Sequence, residues 1–151
     1  MKHPSKEAFM KRILPFFLLA IILTAQFTGC AQTTRIRDLS HTSYVEVRAF
    51  SNVDQTYTDY VITDYEVVDE ICATLQSLPL QTVKITEPLG MAYHLTFFDH
   101  AHRRIESISV VFGNYVDYDG DIYKITSDCD LQAYLAGVLA AQISTQSEEQ
   151  P

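Results

Sequence analysis

Apolar and polar positions in this chain follow two periods, and the places where one gives way to the other predict its elements. The run SYVEVRAF, residues 43–50, alternates strictly: Val45, Val47 and Ala49 fall on one side, Tyr44, Glu46, Arg48 and Phe50 on the other. Successive side chains of a strand point to opposite faces, so this predicts a strand with one buried face. Residues 51–55 hold turn formers, and the β-rich residues 57–62 predict a return strand that completes a hairpin. The period then lengthens. Val67, Val68, Ile71, Cys72, Leu75 and Leu78 recur at helical spacing. Thr63 followed by Glu66 fits a capping box at the start of this helix, and Pro79 ends it at or before Leu78.

Alternation resumes at residues 81–86, followed by a loop at 88–90. Residues 91–98 set Met91, Tyr93, Leu95 and Phe97 against His94 and Thr96, and residues 103–112 align Ile108, Val110 and Phe112 in the longest strand. Gly113 and Asn114 mark a turn. Asp119-Gly120 between β-formers predicts a type I′ hairpin, whose two turn residues both need positive φ. Ser127 reads as the cap of a second helix, with Asp128 and Asp130 in its first turn. Leu131, Leu135, Val138, Leu139 and Ile143 form its apolar stripe, and the polar residues 144–151 read as a disordered tail. Two strands, a helix, five strands and a helix show no βαβ alternation. The order predicts an α+β domain over residues 42–143: an antiparallel sheet of about six to seven strands with two helices packed on one face.

The N-terminus has another character. Lys2, Lys6, Lys11 and Arg12 stand against Glu7, and an apolar run of 13 residues, 13–25, follows. A membrane span needs about 20 residues, so the layout is that of an export signal. It closes on Phe27-Thr28-Gly29-Cys30, which resembles the lipobox of bacterial lipoproteins. The resemblance covers residues 1–30. It implies cleavage after Gly29, removal of residues 1–29, and a new first residue, Cys30, carrying diacylglycerol and an N-acyl lipid. No other cofactor is expected. Residues 30–41 then form a lipidated cysteine and its tether. The resemblance also implies passage through export and lipoprotein-processing machinery, and a membrane-anchored domain facing outside the cytoplasm. Ala31, where an aspartate would resemble a retention signal, points to the outer membrane if the host has two. Two or more acyl chains hold a protein stably, where one holds it marginally.

The chain carries 11 basic and 19 acidic side chains, net −8. The leader holds four of the basic residues and one acidic, so residues 30–151 carry −11. Such a surface argues against nucleic acid as a partner, and charge will not hold it on an anionic membrane. Asp99, His100 and His102 are the densest set of potential ligands. They read either as a zinc or copper site, which His94 would join if its strand folds back, or as a polar connection. Asp117, Asp119 and Asp121 with Gly120 resemble a calcium loop, but the glycine is fourth from Asp117 where an EF-hand needs it sixth, so the turn is favoured. Cys72 and Cys129 form a disulfide if their helices bring them together; otherwise Cys72 is a small core residue. Tyr44, Tyr60, Tyr93, Tyr115, Tyr118 and Tyr123 lie on strands, either lining a sugar or peptide groove or following strand preference. There is no nucleophile elbow, phosphate loop, dinucleotide fingerprint or paired CxxC. The expectation is a membrane-anchored, non-catalytic binding or inhibitory module for an envelope protein, peptide or glycan. The alternative is a small envelope metal-binding protein or hydrolase centred on Asp99, His100 and His102.

Overall fold

The computed structural model of the chain describes residues 33–85 and 90–148. The expected leader, the expected lipidation site Gly29 and Cys30, and residues 86–89 lie outside the described residues. The strands are β1 (Thr33–Thr34), β2 (Tyr44–Ser51), β3 (Thr56–Ile62), β4 (Leu80–Thr82), β5 (Met91–Phe98), β6 (Arg104–Val111), β7 (Tyr115–Tyr118) and β8 (Asp121–Ile125). The helices are α1 (Tyr65–Ser77), between β3 and β4, and α2 (Leu131–Glu148), after β8. All eight strands form one sheet in the order β1-β4-β8-β7-β6-β5-β2-β3. Every neighbouring pair is antiparallel. The α+β class is as the sequence order predicts.

Register explains the core. Val45 pairs with Phe97 and Val47 with Leu95; Leu95 pairs with Ile108, Ile108 with Tyr118, and Val116 with Tyr123. These residues share one parity of their strands. They form one buried cluster with Val68, Ile71, Cys72 and Leu75 of α1 and Leu131, Leu135 and Leu139 of α2. Burying one such aliphatic or aromatic side chain contributes roughly 1.5–3 kcal/mol, so this parity holds the sheet together. The opposite parity of β2, β5, β6 and β7 carries Glu46, Arg48, His94, Thr96, Ser107, Ser109 and Asp117. Among the described residues, no helix is long and apolar enough to cross a membrane.

The structure corrects several boundaries. Described residues ahead of 42 already belong to the fold. Ile36 and Leu39, expected in a tether, are buried in the core, and Thr33 and Thr34 pair with Gln81 and Leu80. Asp64 caps α1: its carboxylate accepts from Glu66 N at 2.9 Å and Val67 N at 3.3 Å, so Thr63 is not the cap. Asp130 caps α2 by accepting from Ala133 N at 3.0 Å, which leaves Ser127 ahead of the helix. The strand expected at 81–86 stops at Thr82, with one further bond from Val83 N to Ile122 O. In that register Lys84 would face Asp121, the first residue of β8, so a strand running on to residue 86 would outrun its partner at the Asp119-Gly120 turn. A bulge between Met91 and Tyr93 takes Met91 off the face of Leu95 and buries Ala92 instead. Phe112 falls past the end of β6, where its backbone N donates to Gly90 O at 2.9 Å. Its ring leaves no room for a side chain at 90, since a Cβ there would lie 2.9 Å away. α2 runs on to Glu148, into the stretch read as a tail.

Candidate functional site

The outward parity of the sheet assembles a polar row that crosses five strands. Asp59 on β3 stands opposite Arg48 on β2, and Arg48 opposite His94 on β5. His94 stands opposite Ser109 on β6, and Ser109 opposite Asp117 on β7. Two contacts lock the row. Arg48 clasps Asp59 with Nε–Oδ1 at 2.7 Å and Nη2–Oδ2 at 3.1 Å, a two-point pairing. His94 Nδ1 lies 2.9 Å from Ser109 Oγ. The hydrogen bond from Arg48 holds the Asp59 carboxyl below its ordinary pKa. Burial pushes the His94 pKa down, and the charge of Arg48 adds to that, while Asp117 opposes it. His94 is therefore a neutral imidazole at neutral pH.

A concavity of about 440 Å³ lies over the Asp59, Arg48 and His94 part of this row, lined also by Glu46, Val61 and Thr96 among others. Aromatic pairs stand at both ends of β2. Tyr44 stacks on Phe98 with centroids 4.8 Å apart and planes 6° from parallel. Phe50 meets Tyr57 at 5.1 Å. A neutral imidazole, hydroxyls and a paired charge between flat apolar rings suit peptide groups or sugar hydroxyls. They do not make a hydrolytic triad. A triad sets the imidazole between carboxylate and hydroxyl, whereas here Ser109 stands between His94 and Asp117 and the other neighbour of His94 is Arg48.

The sequence-derived sites fare differently. Asp99 is buried, and its own loop consumes its carboxylate. Oδ1 accepts from Ala101 N at 2.8 Å and Arg103 N at 2.9 Å. Oδ2 takes Arg103 Nε at 2.8 Å and Nη2 at 2.7 Å. These bonds, led by the backbone ones from Arg103, hold the Asp99 pKa down to about 2. His102 adopts φ 58° and sets Nδ1 3.1 Å from Tyr44 Oη, while His100 is exposed. His94 joins Ser109 and not this loop. Among the described residues, no group of three His, Cys, Asp or Glu side chains is placed to hold a metal ion.

Asp119 and Gly120 take φ 55° and 85°, the positive pair a type I′ turn requires. Asp119 is bonded by Arg37 at 3.0 Å, and Asp117 and Asp121 point to opposite faces, so the three aspartates do not converge. Cys72 and Cys129 are both free, which overturns the disulfide. Cys72 is buried on the inner side of α1 beside Thr42. Cys129 sits in the turn ahead of α2, lining a hollow with Gly113 and Asn114. The strand tyrosines do not line one groove either. Tyr44 and Tyr115 share the parity of the polar row, whereas Tyr60, Tyr93, Tyr118 and Tyr123 belong to or pack against the core. The polar row itself was half visible in sequence. Alternation placed Glu46, Arg48, His94 and Thr96 on outward faces, but nothing local marked Asp59, Ser109 and Asp117 as their neighbours. Compared with known proteins, the chain matches no family model, no curated protein and no solved structure at a significant level.

Proposed function

We propose that this chain is a membrane-anchored envelope lipoprotein whose folded domain binds a protein, peptide or glycan through the outward face of its sheet, without catalysis. The observation that carries the binding reading is the row Asp59-Arg48-His94-Ser109-Asp117, whose first three residues line a concavity, with aromatic pairs at both ends of β2. The row has donors, acceptors and flat rings but no imidazole oriented by a carboxylate, so it is equipped to hold a ligand and not to cleave one. The alternative, a metal or hydrolytic centre at Asp99, His100 and His102, loses its carboxylate to the backbone and side chain of Arg103. The anchor rests on the export signal and lipobox of residues 1–30. The net −11 of residues 30–151 favours basic or neutral partners at the envelope over nucleic acid.

Two measurements test this. Feeding cells a fatty-acid analogue is expected to label the wild-type protein and not Cys30→Ala, with residues 1–29 missing from the labelled product. An unlabelled native protein overturns the anchor. A photo-crosslinking side chain at Thr96 is expected to capture an envelope component in cells, while the same group at Glu70 on α1 captures none. Equal capture from both positions overturns the assignment of the binding face.

A further inference from the structure

We propose that the β3 edge accepts an extended segment of a partner protein as a ninth strand, one that alternates cationic and apolar side chains. This deepens the reading of the domain as a binding module and rests on it. β3 ends the sheet order: its seven residues pair with β2 in unbroken register from Ile62↔Val45 to Thr56↔Ser51, and no described strand pairs its other side. An edge strand presents a row of unused backbone N–H and C=O groups, and proteins blunt such edges with brevity, proline, lysine or a bulge. At the opposite edge β1 has two residues among those described. β3, TYTDYVI, has none of these devices. Its one charge, Asp59, is already clasped by Arg48 on the inner neighbour.

The surroundings of this edge fit an added strand on both sides. Towards α2 lies a groove of about 280 Å³, lined by Asp59, Tyr60, Val61, Ile62, Gln142 and Ile143. On the outward side lies the concavity of the polar row, which shares Asp59 and Val61 with that groove. Strand addition sends alternate side chains to the two faces, so main-chain bonds give affinity and side-chain hollows give selectivity. One set of incoming side chains would meet Tyr60, Ile62 and the end of α2, and apolar groups suit it. The other set would pass Glu46, an exposed carboxylate opposite Val61, beside the paired Asp59, and cationic groups suit it. The net −11 of residues 30–151 draws in a basic segment. It also disfavours a second copy, because two β3 strands related by a two-fold axis would each bring Asp59 to the middle of the joint.

The test uses the protein as purified from cell membranes in non-ionic detergent and a blocked octapeptide of alternating lysine and valine. Its partner probe is the same peptide N-methylated at every second amide, which keeps charge and side chains but cannot complete a ladder. The unmodified peptide is expected to slow amide exchange in residues 56–62 about tenfold or more. N-methylation is expected to weaken binding about tenfold, and Asp59→Asn about threefold. Equal affinity for both peptides overturns strand addition, and so does a β3 already protected in a peptide-free dimer. So does an absence of binding at about 1 mM peptide. Protection confined to Glu46–Arg48 and His94 would also overturn strand addition while leaving the outward face as a binding surface, which separates the failure of this inference from failure of the broader reading.

Discussion

A buried carboxylate with a depressed pKa in a loop beside two histidines has the look of a ligand set, and at Asp99 the geometry gives it a different task. Oδ1 holds the backbone of Ala101 and Arg103, and Oδ2 holds the guanidinium of Arg103. The tight connection places His102 at φ 58°, a conformation that non-glycine residues adopt only when their surroundings impose it. Substitutions should therefore act on folding. Asp99→Asn keeps an acceptor for the two N–H groups but loses the ion pair, and Asp99→Ala loses both. Thermal melts are expected to rank wild type above Asn and Asn above Ala, with a drop of several degrees for Ala and no zinc-dependent difference among the three. The two cysteines make a second residue-scale case. Burial raises the pKa of the Cys72 thiol, and the thiolate is the reactive form. Alkylation of native protein near neutral pH is expected to modify Cys129 alone, with Cys72 reacting on unfolding. Two unreactive thiols under denaturing, non-reducing conditions would mean that the pair is bonded after all.

Helix starts show how element boundaries depend on single acceptors. An N-cap carboxylate satisfies backbone N–H groups that the first turn leaves without partners, worth about 1 kcal/mol relative to alanine. Asp64 and Asp130 serve α1 and α2. Asp64→Ala and Asp130→Ala are each expected to cost about 1 kcal/mol in urea unfolding, and Thr63→Ala close to nothing. Ser127→Ala is expected to be neutral or slightly stabilising, because Ser127 Oγ is buried and finds no partner among the described residues. The expected caps were one and three residues early because serine, threonine and aspartate all cap well, and only the backbone path decides which of them faces the open turn. The same division runs through the fold. Periodicity disclosed the elements and the buried parity of β2, since one-sided burial leaves a mark on every second residue. Ile36 and Leu39 left no such mark: two apolar residues in a polar stretch have no period, and the core to which they belong is built by distant strands. Register is equally unmarked. Asp59, Arg48, His94, Ser109 and Asp117 are separated along the chain and meet only because three hairpins and one docking of β2 on β5 line them up. The run Phe27–Cys30 that resembles a lipobox stands apart, a local pattern whose residues lie outside the described part of the structure.

Across the whole molecule, protonation ties the outward face to stability. His94 has a folded pKa below its ordinary value of about 6.5, so between that lowered value and about 6.5 the unfolded chain binds the proton that the folded one refuses. The contribution of His94 is thus fully present above about 6.5 and is lost as pH falls through the folded pKa. Asp99 has the same sign in a lower window. With a folded pKa of about 2 and an unfolded one of about 3.9, its contribution is complete above about 3.9 and disappears towards pH 2. Against both runs self-repulsion. A chain carrying −8 at neutral pH sheds negative charge on acidification, which relaxes a smooth destabilising background. Raw stability against pH therefore mixes opposing trends, and the difference between wild type and a variant isolates each group. His94→Gln keeps a polar side chain opposite Ser109 and cannot titrate. The gap between its urea midpoint and that of wild type is expected to be constant above about pH 7, to shift in favour of the variant as pH falls through the His94 window, and to be constant again below it. Binding at the outward face should change over the same window, because a protonated His94 would place a second cation beside Arg48 in the centre of the row. A gap that stays level from about pH 7 to about pH 4 would mean that His94 titrates alike in the folded and unfolded chains, and the picture of a neutral imidazole held between Arg48 and Ser109 would have to be given up.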